Sequence, residues 1–285
     1  SRAMLMTGKY VQNLAKVPGA IGINDKTMPE VLKNAGYTTF ETGKWHNERP
    51  AFAKSFTSGA NIFMGGMGNH LEVPLHNFDK TGKYSKNEVF KEDKFSSVLF
   101  REATIDFIKN KKDDKPFFAY VSFMSPHDPR MAPKEYQEKY NTASISLPKN
   151  FVPIHPFNNG ELIIRDENLL GFPRTEQGVK EEIASYYAMI SEVDNNIGKI
   201  VKALEESGEA ENTIIIFAGD NGLAAGQHGL LGKQNLYDHS VRVPLIISGP
   251  TETNTELYAT VNAAIPGLQR DSDYIHDEKS NNVSL

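Results

Sequence analysis

The 285-residue sequence contains no cysteine. Disulfides, thiolate metal sites and a cysteine nucleophile are therefore excluded within it. It has no apolar run of about 18 or more residues, so no segment reads as a membrane-spanning helix. It also lacks a large excess of charge of either sign, the formal net charge being −5. The whole-molecule field does not draw in a polyanion, so no nucleic-acid partner is expected and any anion site has to be a local cluster. Internal repeats and low-complexity tracts are missing too, which leaves out solenoids and flexible linkers.

What is present is the composition of an ordinary globular protein, 39% apolar and 24% charged. Arg2 to Gly8 reads as a short helix with the glycine at its end. In "NDKTMPEVLKNAGYTTFETGKWH", Thr27 and Glu30 have capping-box spacing, Pro29 sits early, and Gly36 suits the position after a helix. "YTTF" then reads as a strand. Residues 47–90 show no clear periodicity and read as loops with short elements. Phe95, Val98, Leu99, Ile105 and Ile108 lie at helical spacing, and the apolar run "KPFFAYVSFM" reads as a strand covered on both faces. Residues 141–177 are rich in Pro, Asn and Gly and read as a long irregular excursion, usually functional in a compact domain. Apolar positions from Ile183 to Leu204 follow a helical period that Gly208 ends. "NTIIIFAGDNG" reads as a buried-type strand and "VRVPLIISGP" as another. Helices alternating with apolar strands predict an α/β fold with a mostly parallel central sheet flanked by helices.

Polar residues gather where these strands stop: Lys44 and His46, His127 and Asp128, Asp220 and Asn221. Sites in open α/β sheets lie beyond the carboxyl ends of the strands, so these groups are expected to converge. Lys44 and His46, two apart, point to the same side if the extension persists. Asp220 and Asn221 are hard oxygen donors suited to Ca²⁺ or, less well, Mg²⁺. Arg2, Lys44 and Lys233 are fixed cations, and the two histidines can move protons near neutral pH. Each feature alone has a plain reading: a solvated lysine, a turn histidine, Asx turn chemistry, loop-shaping glycines. Together they describe a pocket for a tetrahedral oxyanion. His70, His76, Arg130, His155 and Arg165 lie in loops, either reaching toward a substrate or serving as surface polar residues.

Four segments in order resemble one family. "SRAMLMTGK" is similar to the second part of Cys(or Ser)-x-Pro-Ser-Arg-x-x-x-x-Thr-Gly-Lys/Arg. "TGKWH", "SPHDP" and "GDNGLAAGQHGLLGK" are similar to its later motifs. The chain resembles a type I, formylglycine-dependent sulfatase of the alkaline-phosphatase superfamily over residues 1–250. The resemblance implies sulfate-ester hydrolysis with Ca²⁺, by a formylglycine upstream of Ser1. Within it Arg2 stabilises the formylglycine, and Ser1 and Lys9 are structural. Lys44 binds sulfate, His46 deprotonates the hydrated aldehyde for sulfate release, and His127 and Lys233 hold sulfate and assist the leaving oxygen. Asp220 and Asn221 are two of the metal ligands.

The resemblance also implies a sulfated small molecule or glycan as substrate, a formylglycine-generating maturation enzyme as partner, and an extracytoplasmic location (periplasmic, secreted or lysosome-like). The nucleophile, the remaining metal carboxylates of a first strand and a C-terminal subdomain are expected outside this sequence, as in an internal fragment, with residues 251–285 a divergent tail. These 285 residues alone are then expected to be inactive. A phosphodiester or phosphonate monoester hydrolase, or an inactive homologue, shares much of the same motif set.

Overall fold

A computed structural model describes residues 1–14, 20–111 and 114–250, the side chain of Lys86 excepted. The expected tail at 251–285 lies outside the described residues. Helix α1 (Arg2–Thr7) ends at Gly8, whose φ of 66° lets its N–H return to the Met4 carbonyl. Helix α2 (Met28–Asn34) opens with the full capping box. The Glu30 amide donates to Thr27 Oγ1 and the Thr27 amide to Glu30 Oε2, both at 3.3 Å. Strand β1 (Thr38–Lys44) follows, then α3 (Arg49–Ser55), β2 (Ser58–Phe63), α4 (Ser96–Lys109) and β3 (Phe117–Ser122). The three strands form a parallel sheet in the order β2-β1-β3, as the α/β reading requires.

Both faces of β1 are covered. On one side Met6 of α1 joins Trp45, Phe52, Phe56, Ile62 and Tyr84. On the other, Leu99 and Phe100 of α4 pack with Phe63, Val73, Leu75 and Met124. Burying each such side chain contributes about 1.5–3 kcal/mol. After α5 (Lys134–Gln137) and an excursion broken only by single 3₁₀ turns, α6 (Glu176–Glu206) starts on Thr175, whose hydroxyl accepts from the Gly178 amide, and packs along α4.

The remaining elements are β4 (Ile215–Ala218), α7 (Asp238–Val241) and β5 (Leu245–Ser248). Helix α3 and strand β2 are short elements of the kind expected within residues 47–90, although "SGANIF" itself has neither alternation nor β-branched density. One local expectation changes here. Strand β4 is exposed rather than buried. Among the described residues it pairs only with β5, antiparallel, and Ile216 is 61% exposed, with Phe217, Leu245 and Ile246 also open to solvent. An apolar run specifies a strand; its burial depends on what packs over it.

Candidate active site

The carboxyl ends of β1, β3 and β4 do converge. Arg2, the first residue of α1, is the hub. Its Nε donates to Asp220 Oδ2 at 2.9 Å beyond β4, and Nη1 donates to the Lys44 carbonyl at 2.5 Å, to the Ser122 hydroxyl and to the Tyr120 hydroxyl at 3.4 Å. Ser122 Oγ itself donates to the Lys44 carbonyl at 2.8 Å, locking the ends of β1 and β3 together. Burial disfavours the Asp220 carboxylate, but Arg2 and Lys44 outweigh it and hold its pKa below the usual range.

The glycine of "TGKWH" has a steric reason. Gly43 has φ 102° beside a register shift in β1, and a Cβ there would lie 2.1 Å from the Ser122 carbonyl oxygen. Lys44 follows at 6% exposure. Burial first, then the Arg2 guanidinium, lower its pKa to about 8. Trp45 is fully buried and donates Nε1–H to the Glu48 carbonyl at 3.0 Å. The extension stops there. His46 turns through φ 53° to the surface, so it is not simply the next residue on the Lys44 side. Its ring still senses the site: partial desolvation, then Lys44 and Arg2, lower its pKa.

His127 lies in the turn after β3. Its Nε2 is 2.7 Å from Lys233 Nζ, and its Nδ1 is 3.2 Å from the Asp128 carbonyl. One neutral tautomer satisfies both contacts, Nε2 accepting from the ammonium and Nδ1–H donating to the carbonyl. Desolvation and the charge of Lys233 push the His127 pKa to about 4. His70 Nε2, also buried, faces the His127 carbonyl at 3.1 Å and fixes the turn from below.

The excursion supplies what holds Lys233. In the 3₁₀ turn Arg165–Glu167, Glu167 accepts the backbone N–H groups of Leu231 and Gly232, each at 2.8 Å, and pairs with the fully buried Arg174 at 2.8 Å. Asp166 Oδ2 lies 3.3 Å from Lys233 Nζ and accepts from Gln234 at 2.8 Å. Burial disfavours this carboxylate as well, yet Gln234, Arg165 and Lys233 bring its pKa to about 2. Asp166 and Glu167 were missed in the sequence because nothing local marks them. The Asp-Glu pair in an irregular segment reads as surface charge.

The loop residues divide sharply. His70, His76, Arg130 and His155 are buried in the frame, whereas the Arg165 side chain is 57% exposed. Glu41 on β1 is a further surprise. It is completely buried with no hydrogen-bond partner for either carboxylate oxygen among the described residues, and burial raises its pKa well above the carboxylate range despite the pull of Arg2. The expected metal ligands are hard donors of the type Ca²⁺ takes, but two where about six to eight oxygens are needed. Asp220 Oδ2 is engaged by Arg2, and the Asn221 amide donates to the Gly222 carbonyl. Among the described residues no group of three or more His, Cys, Asp or Glu side chains is placed to hold a metal. The donor type fits Ca²⁺; the donor number covers part of a site.

Known proteins resemble this chain in sequence and in fold. The sulfatase family profile matches residues 1–276. The ulvan-active sulfatase of Formosa agariphila is 31% identical over 281 residues, covering 93% of this chain and 49% of that protein. N-acetylglucosamine-6-sulfatase of Bos taurus is 29% identical over 299 residues, covering 92% and 50%. The chain thus spans about half the length of the curated relatives it matches. Among solved structures, a protein in complex with its substrate D-glucosamine-2-N,6-O-disulfate superposes with a TM-score of 0.70 at 21% identity, over 87% of this chain and 60% of that one. The phosphonate monoester hydrolase of Agrobacterium radiobacter superposes at 0.65 with 20% identity, over 87% and 58%. These two likenesses show the fold. The match of the family profile along nearly the whole sequence shows more: the chain belongs to the sulfatase family.

Proposed function

We propose that the full-length protein hydrolyses sulfate esters of a carbohydrate, with the residues described above forming the cationic side of its active site. The observation that carries this reading is the convergence of Arg2, Lys44, Lys233 and a neutral His127 beyond the strand ends, with Asp220 the only carboxylate hydrogen-bonded to Arg2 among the described residues. Named sulfatases of glycan substrates among the relatives support the substrate class.

When present, a formylglycine hydrate upstream of Ser1 supplies the attacking oxygen and a Ca²⁺ held in part by Asp220 and Asn221 supplies Lewis-acid charge. The chain's own groups do the rest. Arg2 stabilises the formylglycine, and Lys44 holds non-bridging sulfate oxygens where negative charge has to be stabilised without reorganisation. As the S–O bond to the sugar breaks, the leaving oxygen takes a proton from the Lys233 ammonium, which neutral His127 and the Asp166 carboxylate aim. His46, unprotonated at neutral pH, takes the proton that lets sulfate depart. Maturation by a formylglycine-generating enzyme and an extracytoplasmic location belong to the same reading.

The test is turnover by matured full-length protein, with Ca²⁺, of 4-nitrophenyl sulfate, N-acetylglucosamine-6-sulfate and a phenyl phosphonate monoester. Sulfate esters are expected to react fastest. Faster phosphonate turnover favours the second reading, for which the fold likeness to a phosphonate monoester hydrolase speaks. No turnover of any ester after verified maturation indicates an inactive homologue.

A further inference from the structure

The Arg165 guanidinium has no role in the scheme above, yet it is held at the site by the group that holds Lys233. Its Nε and Nη2 lie 2.7 and 2.6 Å from Asp166 Oδ1, while Asp166 Oδ2 takes Lys233 Nζ and Gln234. The Asp166 side chain is 2% exposed, so this carboxylate is a fixed bridge between a half-exposed guanidinium and the ammonium beside His127. Nη1 of Arg165 has no partner among the described residues. The positive charge of Arg165 also reaches Lys44, lowering its pKa together with burial, Arg2 and Lys233.

Four cations, Arg2, Lys44, Arg165 and Lys233, gather with the carboxylates Asp128, Asp166 and Asp220. Arg165 is the one of these cations whose side chain is more than half exposed. A guanidinium with a free planar edge recognises sulfate or carboxylate oxygens through paired, charge-assisted hydrogen bonds. The other loop candidates, His70, His76, Arg130 and His155, are buried and cannot reach a sugar.

We propose that Arg165 is a specificity-determining residue that binds a second anionic group, a sulfate or a carboxylate, carried by the substrate next to the scissile sulfate. This rests on the sulfatase reading and narrows its substrate class to polyanionic glycans. Asp166 is the corresponding positioning residue: it sets the guanidinium at a fixed spacing from Lys233.

The experiment uses matured full-length protein and Arg165→Gln. It compares a monosulfated sugar with the same sugar carrying a second sulfate, and with the same sugar linked to a uronate. The readout is the ratio of KM values, dianionic over monoanionic, with binding of the same sugars measured by calorimetry. Losing a charge-assisted contact is expected to raise that ratio by at least about tenfold for whichever dianionic sugar the wild type prefers, with Arg165→Lys between the two. The arm that responds identifies sulfate or carboxylate. A merely structural pair with Asp166 would disturb Lys233 equally for all substrates and leave the ratio unchanged, which overturns the proposal. So does a wild type with no preference for either dianion. If nothing is turned over but calorimetry shows the same Arg165-dependent preference, the binding inference stands and the sulfatase reading falls.

Discussion

The two sides of the site are built in opposite ways. Arg2, Lys44 and Asp220 sit at the ends of regular elements, tied by strand backbone through the Lys44 carbonyl and Ser122. Lys233 and His127 sit on irregular segments, and buried carboxylates do the work that a ladder does on the other side. Glu167 alone closes two backbone amides and a buried arginine. An irregular site segment can be fixed much as a strand end is when its buried carboxylates are paired, as Asp166 and Glu167 are here. The cost is that one side chain carries much of the rigidity.

That asymmetry sets the largest expected effect. Glu167→Ala should destabilise the fold by about 3–5 kcal/mol, because Arg174 is left charged at 0% exposure. Denaturant unfolding measures it. The double variant Glu167→Leu, Arg174→Met removes both charges and should recover part of the loss, though not the pairing of the Leu231 and Gly232 amides. A loss below about 1 kcal/mol for Glu167→Ala would mean that the Lys233 side is held by something other than this carboxylate.

The Arg2 side predicts the reverse relation between stability and activity. Lys44 is a buried ammonium whose pKa is lowered to about 8, so its charged form is less favourable in the folded than in the unfolded chain. The sign of linkage follows: Lys44 opposes folding while it is charged, and the penalty fades as pH rises from about 8 toward the unfolded value. Lys44→Met should therefore raise the melting temperature at pH 7 while lowering kcat about 10²- to 10³-fold, the loss typical of one oxyanion-stabilising group. In the wild type kcat/KM should fall with rising pH above about 8, as the free enzyme loses the Lys44 proton, and Lys44→Arg should move that limb upward. An unchanged alkaline limb in Lys44→Arg would assign it to another group.

The same asymmetry decided what could be read in the sequence. The strand-end residues are legible: "SPHDP" and "GDNG" each follow an apolar run and "TGKWH" ends a strand; β1 and β3 end side by side because they pair in parallel, whereas the end of β4 reaches them through the Arg2–Asp220 contact. The capping box at Thr27 and the long α6 helix were legible because they rest on short-range periodicity. Asp166 and Glu167 are not, since the site segment they hold, Leu231 to Gln234, lies more than sixty residues away in sequence. The exposure of β4 and the burial of Glu41 were hidden for the same reason. Strand propensity and charge are local properties, whereas the surface that covers a residue is not.

The smallest effect separates His46 from its scaffold. Gly66 lies under the imidazole, and a Cβ built there falls 2.7 Å from Nε2 and 3.1 Å from Cε1. The clash is with the far end of a side chain at the surface, which can swing away, so Gly66→Ala should leave stability nearly unchanged. The ring, however, is displaced from the partly desolvated position, near the Lys44 and Arg2 charges, that depresses its pKa. Displacement of about 1 Å at a reacting group is enough to cost an order of magnitude or more in rate, so kcat should fall about tenfold. The acid limb of kcat should move upward as His46 regains a more ordinary pKa. Gly68→Ala is the control: its Cβ meets Phe63 and Met124 at 3.7 and 3.9 Å, ordinary contacts, and should behave as wild type. Equal losses in the two variants would place the effect in the loop backbone and remove His46 from the proton-transfer role.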